Sequence, residues 1–454
     1  MNPFAWLCAT FVVLVAAGVP VAFAIAIASF VGYALIPDPF GSLSPYGLIT
    51  DMTGGMKQIS LIYIPFFILA GKAMGQGGVA RRLIDLSRGF VGGVRGGTSY
   101  VSVMASMFFG AISGSGVADV ASIGSVMIPE MRKEGYDAPF ATAVTISAGT
   151  LGLVIPPSNI MVLYVVIAAG TLIPAGAYQG VGLDIRTMFL AGFLPGMVTG
   201  LALMAVCGIL SHLRGYPKGR WLGPREVVRS FLGALFPMFI VAVILGGILF
   251  GIVTADESAA VAVVLAVIAG VVVYRAVPAR QVLVMLRDSA VTCGVVFFLI
   301  AASNAMKFVF IHEGIDRAMQ DLCVQFIGNR FAFLLVVNIL LLVCGCFLDM
   351  TPAVLIFTPL LLPIAVGYGI HPIHFGIILT LNLCIGLCTP PVGNCLFVGC
   401  SVSKVPLTKM IRPLLPFYAA MFAALLVVTY AEAIPMWLPA QWLRWFPPLV
   451  GAGP

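Results

Sequence analysis

Charge is what this chain has least of. Its 454 residues include 17 acidic and 24 basic side chains, 9% in all, and only four histidines. Soluble domains carry about 25% charged residues, so a water-exposed globular protein is excluded. Also missing is the Gly-x-x-x-x-Gly-Lys-Ser/Thr pattern that cradles a nucleotide phosphate. No Ser-His-Asp or paired-Glu arrangement presents itself for catalysis. The ten cysteines lack zinc-like spacing with a histidine partner and are read as small packing residues. His371 and His374, three apart with no acidic or thiol neighbour, are read as loop histidines. The net charge of +7 is confined to short connections, so no nucleic-acid partner is expected. Met1-Asn2-Pro3-Phe4 shows no basic stretch of a cleaved leader, so the first apolar run is expected to stay as a helix.

What the chain has instead is apolar length. It is 61% hydrophobic, with a mean hydropathy of +1.11, and runs of about 20 apolar residues, enough to cross a bilayer, recur from Phe4–Pro37 to Leu414–Ala431. The fold class is therefore an all-α polytopic membrane protein. Basic residues mark cytoplasmic connections. Arg214, Lys218, Arg220, Arg225 and Arg229 define one; Lys72, Arg81, Arg82, Arg88 and Arg95 define another. Residues 97–129 lie between two connections on the same face, yet hold glycines and serines at their middle. One crossing cannot return to its own side, whereas a re-entrant hairpin with its tip at Gly110 to Gly116 can. About nine crossings and two hairpins result, with the N-terminus cytoplasmic and the C-terminus periplasmic. Trp437, Trp442 and Trp445, with Pro447-Pro448, suit the outer interface.

The chain repeats itself. Shifting residue 129 to 363 superimposes Pro129 on Pro363, Gly135 on Gly369, Gly152 on Gly386 and Pro156-Pro157 on Pro390-Pro391. Prolines and glycines punctuate backbone rather than composition. The connection Gly75–Gly97 is basic, whereas its counterpart from His312 to Arg330 sets Glu313, Asp316 and Asp321 against Arg317 and Arg330. Opposite charge on corresponding loops implies inverted-topology repeats. The expected division is an N-terminal scaffold segment at 1–58 and a first repeat at 59–175, with a hairpin at 97–129 and a broken helix at 138–170. Scaffold helices follow at 176–290, with a cytoplasmic loop at 212–229. A second repeat takes 291–404, with a hairpin at 331–363 and a broken helix at 373–400, and a C-terminal helix and tail take 405–454.

Broken helices in lipid are tolerated around a cavity or a bound ion. Their half-helix N-termini favour anions, and their unwound carbonyls offer oxygen ligands to a hard cation. In the first repeat the oxygen-rich stretch is Ser113, Gly114, Ser115 and Asp119, facing the break at Gly152–Asn159. In the second it is Gly345, Asp349 and Thr351, facing Gly386, Thr389 and Val392. Close helix packing is the competing reading for such small residues. Asp349 is read either as a site carboxylate or as a cap for its helix. Lys307, near the outer end of its run, is expected to snorkel.

These residues carry a resemblance. Ser113-Gly114-Ser115-Gly116-Val117-Ala118-Asp119-Val120, Ile123 to Pro129, Ala148 to Ser158, and the region from Phe347-Leu348-Asp349 to Thr389-Pro390-Pro391-Val392-Gly393 resemble the large membrane subunit of TRAP (tripartite ATP-independent periplasmic) transporters over nearly the whole chain. The resemblance implies an elevator-type secondary transporter, not an enzyme, in a bacterial inner membrane. It implies a sodium ion gradient (Na+) as driving force, an organic anion as substrate, a periplasmic substrate-binding protein of P type and a small four-helix membrane subunit of Q type. Because Met1 starts directly on the large-subunit pattern, that small subunit is expected as a separate polypeptide. By the resemblance, one sodium site lies among Ser113, Ser115, Gly152, Ile155 and Pro157. The other lies among Gly345, Gly386, Thr389 and Val392, to which the residue reading adds Asp349 and Thr351. Ser113 and Asp119 match family positions near the substrate, joined by Ser158 and Asn159. The chain departs from the family pattern at Gly116 and Asn159 and in the thiols Cys344, Cys346, Cys388 and Cys395. C4-dicarboxylates, sialic acids and keto acids all stay open as substrates. A binding-protein-independent anion transporter stands as the nearest alternative, and a channel or an Asp119–Asp349 intramembrane enzyme as remoter ones.

Overall fold

The computed structural model describes residues 3–36, 45–57, 61–171, 182–219, 221–314, 325, 327–390 and 392–446. Met1, Asn2, Pro37, Arg220, Asp316, Arg317, Asp321, Pro391 and Pro447-Pro448, used in the sequence reading, lie outside the described residues. Helix follows helix: α1 Pro3–Ala16, α2 Val21–Ala34, α3 Pro45–Met56, α4 Tyr63–Gln76, α5 Val79–Val91, α6 Gly97–Ser113, α7 Gly116–Lys133, α8 Ala138–Gly149, α9 Asn159–Ala169, α10 Ile185–Leu213, α11 Pro224–Leu249, α12 Ala255–Ile268 and α13 Ala279–His312. The chain continues with α14 Arg330–Gly345, α15 Met350–Gly367, α16 Pro372–Gly386, α17 Asn394–Ser403, α18 Ile411–Tyr430 and α19 Ala433–Trp445. No strand occurs among the described residues; an isolated bridge joins Arg95 to Lys218.

Six of these helical stretches are long and apolar enough to cross a bilayer, among them Ile185–Leu213, Pro224–Leu249 and Ile411–Tyr430. In α10, α11 and α12 about a third of the apolar window or less faces the interior, so Leu213, Leu232, Leu235, Phe239 and Val264 stand outward. Water does not tolerate such a surface, and a bilayer does. The chain is a multi-pass, all-α membrane protein.

Two expectations are corrected. The first apolar run is not one helix: Gly18, with φ of +82°, and Pro20 at the cap of α2 split it into α1 and α2, which pack on each other. Each has 14 residues, about 21 Å at 1.5 Å per residue. The helix α13 runs unbroken over 34 residues, across residue 290. Finally, His374 is not in a loop. Pro372 occupies the first turn of α16, where its missing N–H costs nothing, and His371 caps that helix, so His374 is fully enclosed, with Nε2 3.0 Å from the Val428 carbonyl.

Helix bounds correspond between the two stretches. The shift that carries 116 to 350 also carries 133 to 367 and 138 to 372, so α7 maps end to end on α15 and the start of α8 on that of α16. In both units two helices form a hairpin, α6–α7 and α14–α15, followed by an interrupted pair, α8–α9 and α16–α17. The interrupted helix presses its glycine onto the first hairpin arm. A Cβ at Gly152 would collide with the Gly110 backbone, and a Cβ at Gly386 would stand 2.6 Å from the Gly345 backbone.

The outer halves of the interrupted helices are exchanged. α9 leaves its own unit to pack on α15 and α16, and α17 packs on α7 and α8. Tyr164 of α9 lies on Gly376, where no side chain intervenes, and its hydroxyl donates to the Pro372 carbonyl at 2.6 Å. In the mirrored contact Gly399 of α17 meets Ile146. Outside this block, α10 offers Gly192 to Met161 and the Val154 carbonyl, Gly196 to Ile155, and Gly200 to Met107. The glycines along α10 thus let a long helix lie flat against the first break.

Gly152→Ala and Gly386→Ala should therefore act alike, each forcing backbones apart at a cost of roughly 1–3 kcal/mol. Gly233→Ala, whose Cβ would meet open space, should be neutral. Thermal melts of the three purified variants check this, and equal melting temperatures for all three would remove the proposed contact.

Candidate functional site

Each hairpin tip ends one helix and begins another. At the first, Gly114 takes a left-handed φ of +59°, which favours glycine, and Ser115 caps α7 by accepting from the Ala118 N–H at 3.3 Å. The Ser113 hydroxyl folds back over the turn, 3.4 Å from the Ser115 carbonyl oxygen and amide nitrogen. The tip is pressed against α4 at Gly71, where a Cβ would stand 2.5 Å from the Ser113 carbonyl oxygen. At the second tip Asp349 caps α15, its Oδ1 accepting from the Met350 N–H at 2.9 Å. The capping residue also lines the cavity described next.

A cavity of about 270 Å³ opens between the tips, lined among others by Lys72, Ser113, Ser115, Asn159, Thr292, Asp349 and Thr351. Of the residues expected at a site, the structure thus brings Ser113, Ser115, Asn159, Asp349 and Thr351 to one space, although they come from three different segments. Asn159, at the start of α9, lies directly over Gly114, its side chain 2.9 Å from where a Cβ would stand. Gly345 and Gly386 sit behind the second tip, against each other.

Other expected residues hold the scaffold of this space rather than its wall. Ser158 is buried and donates to the Leu153 carbonyl at 2.6 Å, closing the turn of the first break. The peptide bond between Pro156 and Pro157 is cis, and Ile155 is buried against Gly196. Asp119 is fully enclosed in the first turn of α7; Ser106 donates to its Oδ1 at 3.1 Å, while Oδ2 has no hydrogen-bond partner. Asp119 and Asp349 therefore occupy different surroundings, one closed inside the hairpin and the other at the cavity.

The second break shows how unwound carbonyls are shared out. The Cys395 N–H donates to the Leu387 carbonyl at 3.1 Å, and Tyr418 of α18 donates to the Cys388 carbonyl. The Gly393 N–H reaches back to the Cys346 carbonyl of the tip at 3.3 Å, and the Thr389 hydroxyl donates to Ile385 at 2.7 Å. Gly393 itself has a φ of +38°. A Cβ there would meet the Thr389 and Leu387 carbonyl oxygens at 2.8 and 3.0 Å. Two carbonyl oxygens thus face a residue with no side chain. Val392, next to it, is 37% exposed.

Lys72 is the residue that sequence reading misplaced. Grouped there with a basic connection, it lies within α4, at the cavity, and donates to Thr292 of α13 at 3.0 Å. Among the described residues it forms no ion pair. A lysine inside an apolar run costs about 2.5–3.5 kcal/mol even on the lenient insertion scale, and that cost, read on Phe66–Gln76 alone, is the signal that marks it. Lys307 donates to the Gly170 carbonyl at the end of α9 at 2.6 Å.

Comparison with known proteins adds the following. Residues 8–434 match the family described as DctM, "Tripartite ATP-independent periplasmic transporter, DctM component". The chain is 38% identical over 437 residues to "Uncharacterized protein YgiK" of Salmonella typhimurium, covering 96% of this chain and 97% of that one. It is 39% identical over 387 residues to the "C4-dicarboxylate TRAP transporter large permease protein DctM" of Pseudomonas aeruginosa, covering 85% and 87%. It is also 31% identical over 393 residues to the "2,3-diketo-L-gulonate TRAP transporter large permease protein YiaN" of Escherichia coli, covering 87% and 89%. Among solved structures, the YdaH transporter of Alcanivorax borkumensis shares the fold at a TM-score of 0.63 and 12% identity, covering 97% of this chain and 99% of that one.

Ser106→Ala should cost roughly 1–3 kcal/mol, because it leaves the enclosed Asp119 carboxyl without its side-chain donor. Asp119→Asn in the same background should recover part of that loss. Melting curves of the single and double variants check both, and an unchanged curve for Ser106→Ala would show that the carboxyl does not depend on it.

Proposed function

The chain belongs to the DctM component family of tripartite ATP-independent periplasmic transporters, and we propose that it is the large permease subunit of a sodium-coupled uptake system for an organic anion. A periplasmic binding protein delivers the anion, and a small four-helix membrane subunit accompanies this chain in a bacterial inner membrane. The observation that carries this reading is the meeting of both hairpin tips and the start of α9 at one cavity with Lys72 in its wall. An anion is favoured there by helix N-termini and by the lysine. Relatives named for C4-dicarboxylate, isethionate, 2,3-diketo-L-gulonate and sialic acid are all named for acids that are anions at neutral pH.

In the proposed mechanism sodium binds first at the two breaks, at the backbone and hydroxyl oxygens around Ser113, Ser115, Gly152, Ile155 and Pro157 and around Gly345, Asp349, Thr351, Gly386, Thr389 and Val392. Each ion fixes a tip against its interrupted helix and so shapes the cavity for the anion. The two units are read as inverted repeats with re-entrant hairpins, and because α9 and α17 are exchanged between them, α6–α9 and α14–α17 travel as one body. That body slides against a scaffold that includes α10, α11 and α12, an elevator motion. Uphill uptake follows if the loaded body crosses only with sodium in place. A differential affinity of about 5.5 kcal/mol moves a population from 1:99 to 99:1.

Uptake into liposomes by the assembled system should collapse when potassium replaces sodium; an unchanged rate would end the sodium reading. Ser113→Ala and Thr389→Ala should each raise the sodium concentration for half-maximal uptake by about tenfold, the equivalent of about 1.4 kcal/mol. If neither variant alters the sodium response, the placement of the two ions is wrong. Removing the binding protein should abolish uptake, and activity that persists without it would favour a permease that works alone.

A further inference from the structure

We infer that Ser303, Asn304 and Lys307 of α13 form an outer anion-binding station, which the cavity between the tips meets when the travelling body has slid outward along α13 by three helical turns. The inference rests on the elevator reading above and adds to it a second contact for the carboxylate or sulfonate of the carried anion.

A smaller space of about 40 Å³ leads there, because it is bounded by the same elements as the main cavity, taken further along each. α9 gives Ile160 and Leu163 to the main cavity and Val166 and Gly170 to the smaller one. α13 gives Thr292 and Val296, then Ser303 and Lys307; α15 gives Thr351, then Leu355. The two spaces are successive windows of one passage, the second toward the outer ends of α9 and α13. Eleven residues separate Thr292 from Ser303, and eleven separate Val296 from Lys307. In an unbroken helix that step is close to three turns, so each pair shares a face of α13 with about 16 Å between its members. α13 itself packs on α2, α3 and α4, none of which belongs to the travelling body.

In the inner window the polar residues of α4 and α13, Lys72 and Thr292, share the cavity with the hydroxyls and amide of the tips. In the outer window the α13 side is polar, but the body presents Val166, Ile167 and Leu355 to it. The Ser303 hydroxyl is buried there with no hydrogen-bond partner among the described residues. Asn304 turns its amide back to the Ile300 carbonyl at 2.9 Å, and Lys307 donates to the Gly170 carbonyl. A buried hydroxyl left without a partner is costly, and the outward step removes that cost. It carries the end of α9 away from Lys307 and brings Ser115, Asn159 and Thr351 to the level of Ser303, Asn304 and Lys307. Each station then offers one ammonium and a hydroxyl. The tips arrive with sodium in the proposed mechanism, so the anion lies between those ions and the lysine and is attracted by both. Lys307 exchanges a main-chain carbonyl in one position for the ligand's oxygens in the other.

The test follows the body's position by bridging cysteine pairs with mercuric ion, in the full-length chain with its native cysteines replaced by serine, held in lipid nanodiscs. Ile160→Cys with Val296→Cys reports the inner position, and Ile160→Cys with Asn304→Cys the outer one. Both pairs should bridge, and an outer pair that never does overturns the inference. In sodium acetate, with acetate as the probe carboxylate, Lys307→Gln should lower the ratio of outer to inner bridging about tenfold and Lys72→Gln should raise it about tenfold. Lys307→Arg should keep the ratio of the parent. If Lys307 did no more than cap α9, its removal would release the body and raise the ratio; that result, or an unchanged ratio, overturns the station. In the chain with its cysteines intact, acetate in place of chloride should slow acylation of Lys307 by an N-hydroxysuccinimide ester while Lys404 and Lys409 react as before. Equal rates at Lys307 overturn the station as well. The expected shifts appearing alike in sodium and potassium acetate would overturn sodium coupling and leave the station standing. Bridging of both pairs at a ratio indifferent to either lysine would leave the elevator motion and overturn the station alone.

Discussion

A peptide group inside a bilayer has to find its hydrogen bonds within the protein, because no water is there to supply them. This chain interrupts two helices inside its core, at 150–158 and 387–393, and the rest of the architecture answers that demand. The turn at Leu151–Leu153 closes on itself through Thr150 and Leu151 carbonyls, Ser158 satisfies Leu153, and Tyr418 arrives from a distant helix to satisfy Cys388. Gly110 against Gly152 and Gly345 against Gly386 bring the hairpins to backbone contact with the interrupted helices. At the second break the Gly393 N–H reaches the Cys346 carbonyl of the tip and the Cys395 N–H takes the Leu387 carbonyl.

The polarity of the interior follows the same demand. Hydroxyls away from the cavity turn back onto their own helices, as Thr142, Thr145 and Thr380 do to carbonyls one turn earlier, and so cost little where they are buried. Those at the tips are committed to longer, weaker contacts of 3.3–3.4 Å and stay available. A second set of buried polar groups, Asn382 donating to Asn338 and Asn338 to Thr429 at 3.2 Å, ties α14, α16 and α18 together.

Much of this was legible in the sequence, because backbone breaks are written in glycine and proline. The interruptions fall at glycines and prolines that the two stretches share, Gly152 with Gly386 and Pro156 with Pro390, and Ser113, Ser115, Asn159, Asp349 and Thr351 line one cavity. What stayed hidden was set by three-dimensional neighbours. Lys72 looks like one more basic residue until α4 is seen to continue through it to Gln76. The enclosure of His374 depends on α18, which lies about 50 residues further along, although Pro372 behind His371 was a readable helix start. The split of the first apolar run was written in Gly18-Val19-Pro20 and was outweighed by the apolar residues on either side.

The exchange of α9 and α17 also bears on how the chain is made. When α9 leaves the ribosome, the two helices that will cover it do not yet exist; α16 ends at Gly386, over two hundred residues later. At about 5–20 residues per second, α9 waits roughly 10–45 s with Tyr164, buried in the finished molecule, facing something else. The first half of this protein is therefore born as a half-closed clasp, and whatever shelters it in the membrane during those seconds, be it lipid, the insertion machinery or a companion subunit, is part of its folding.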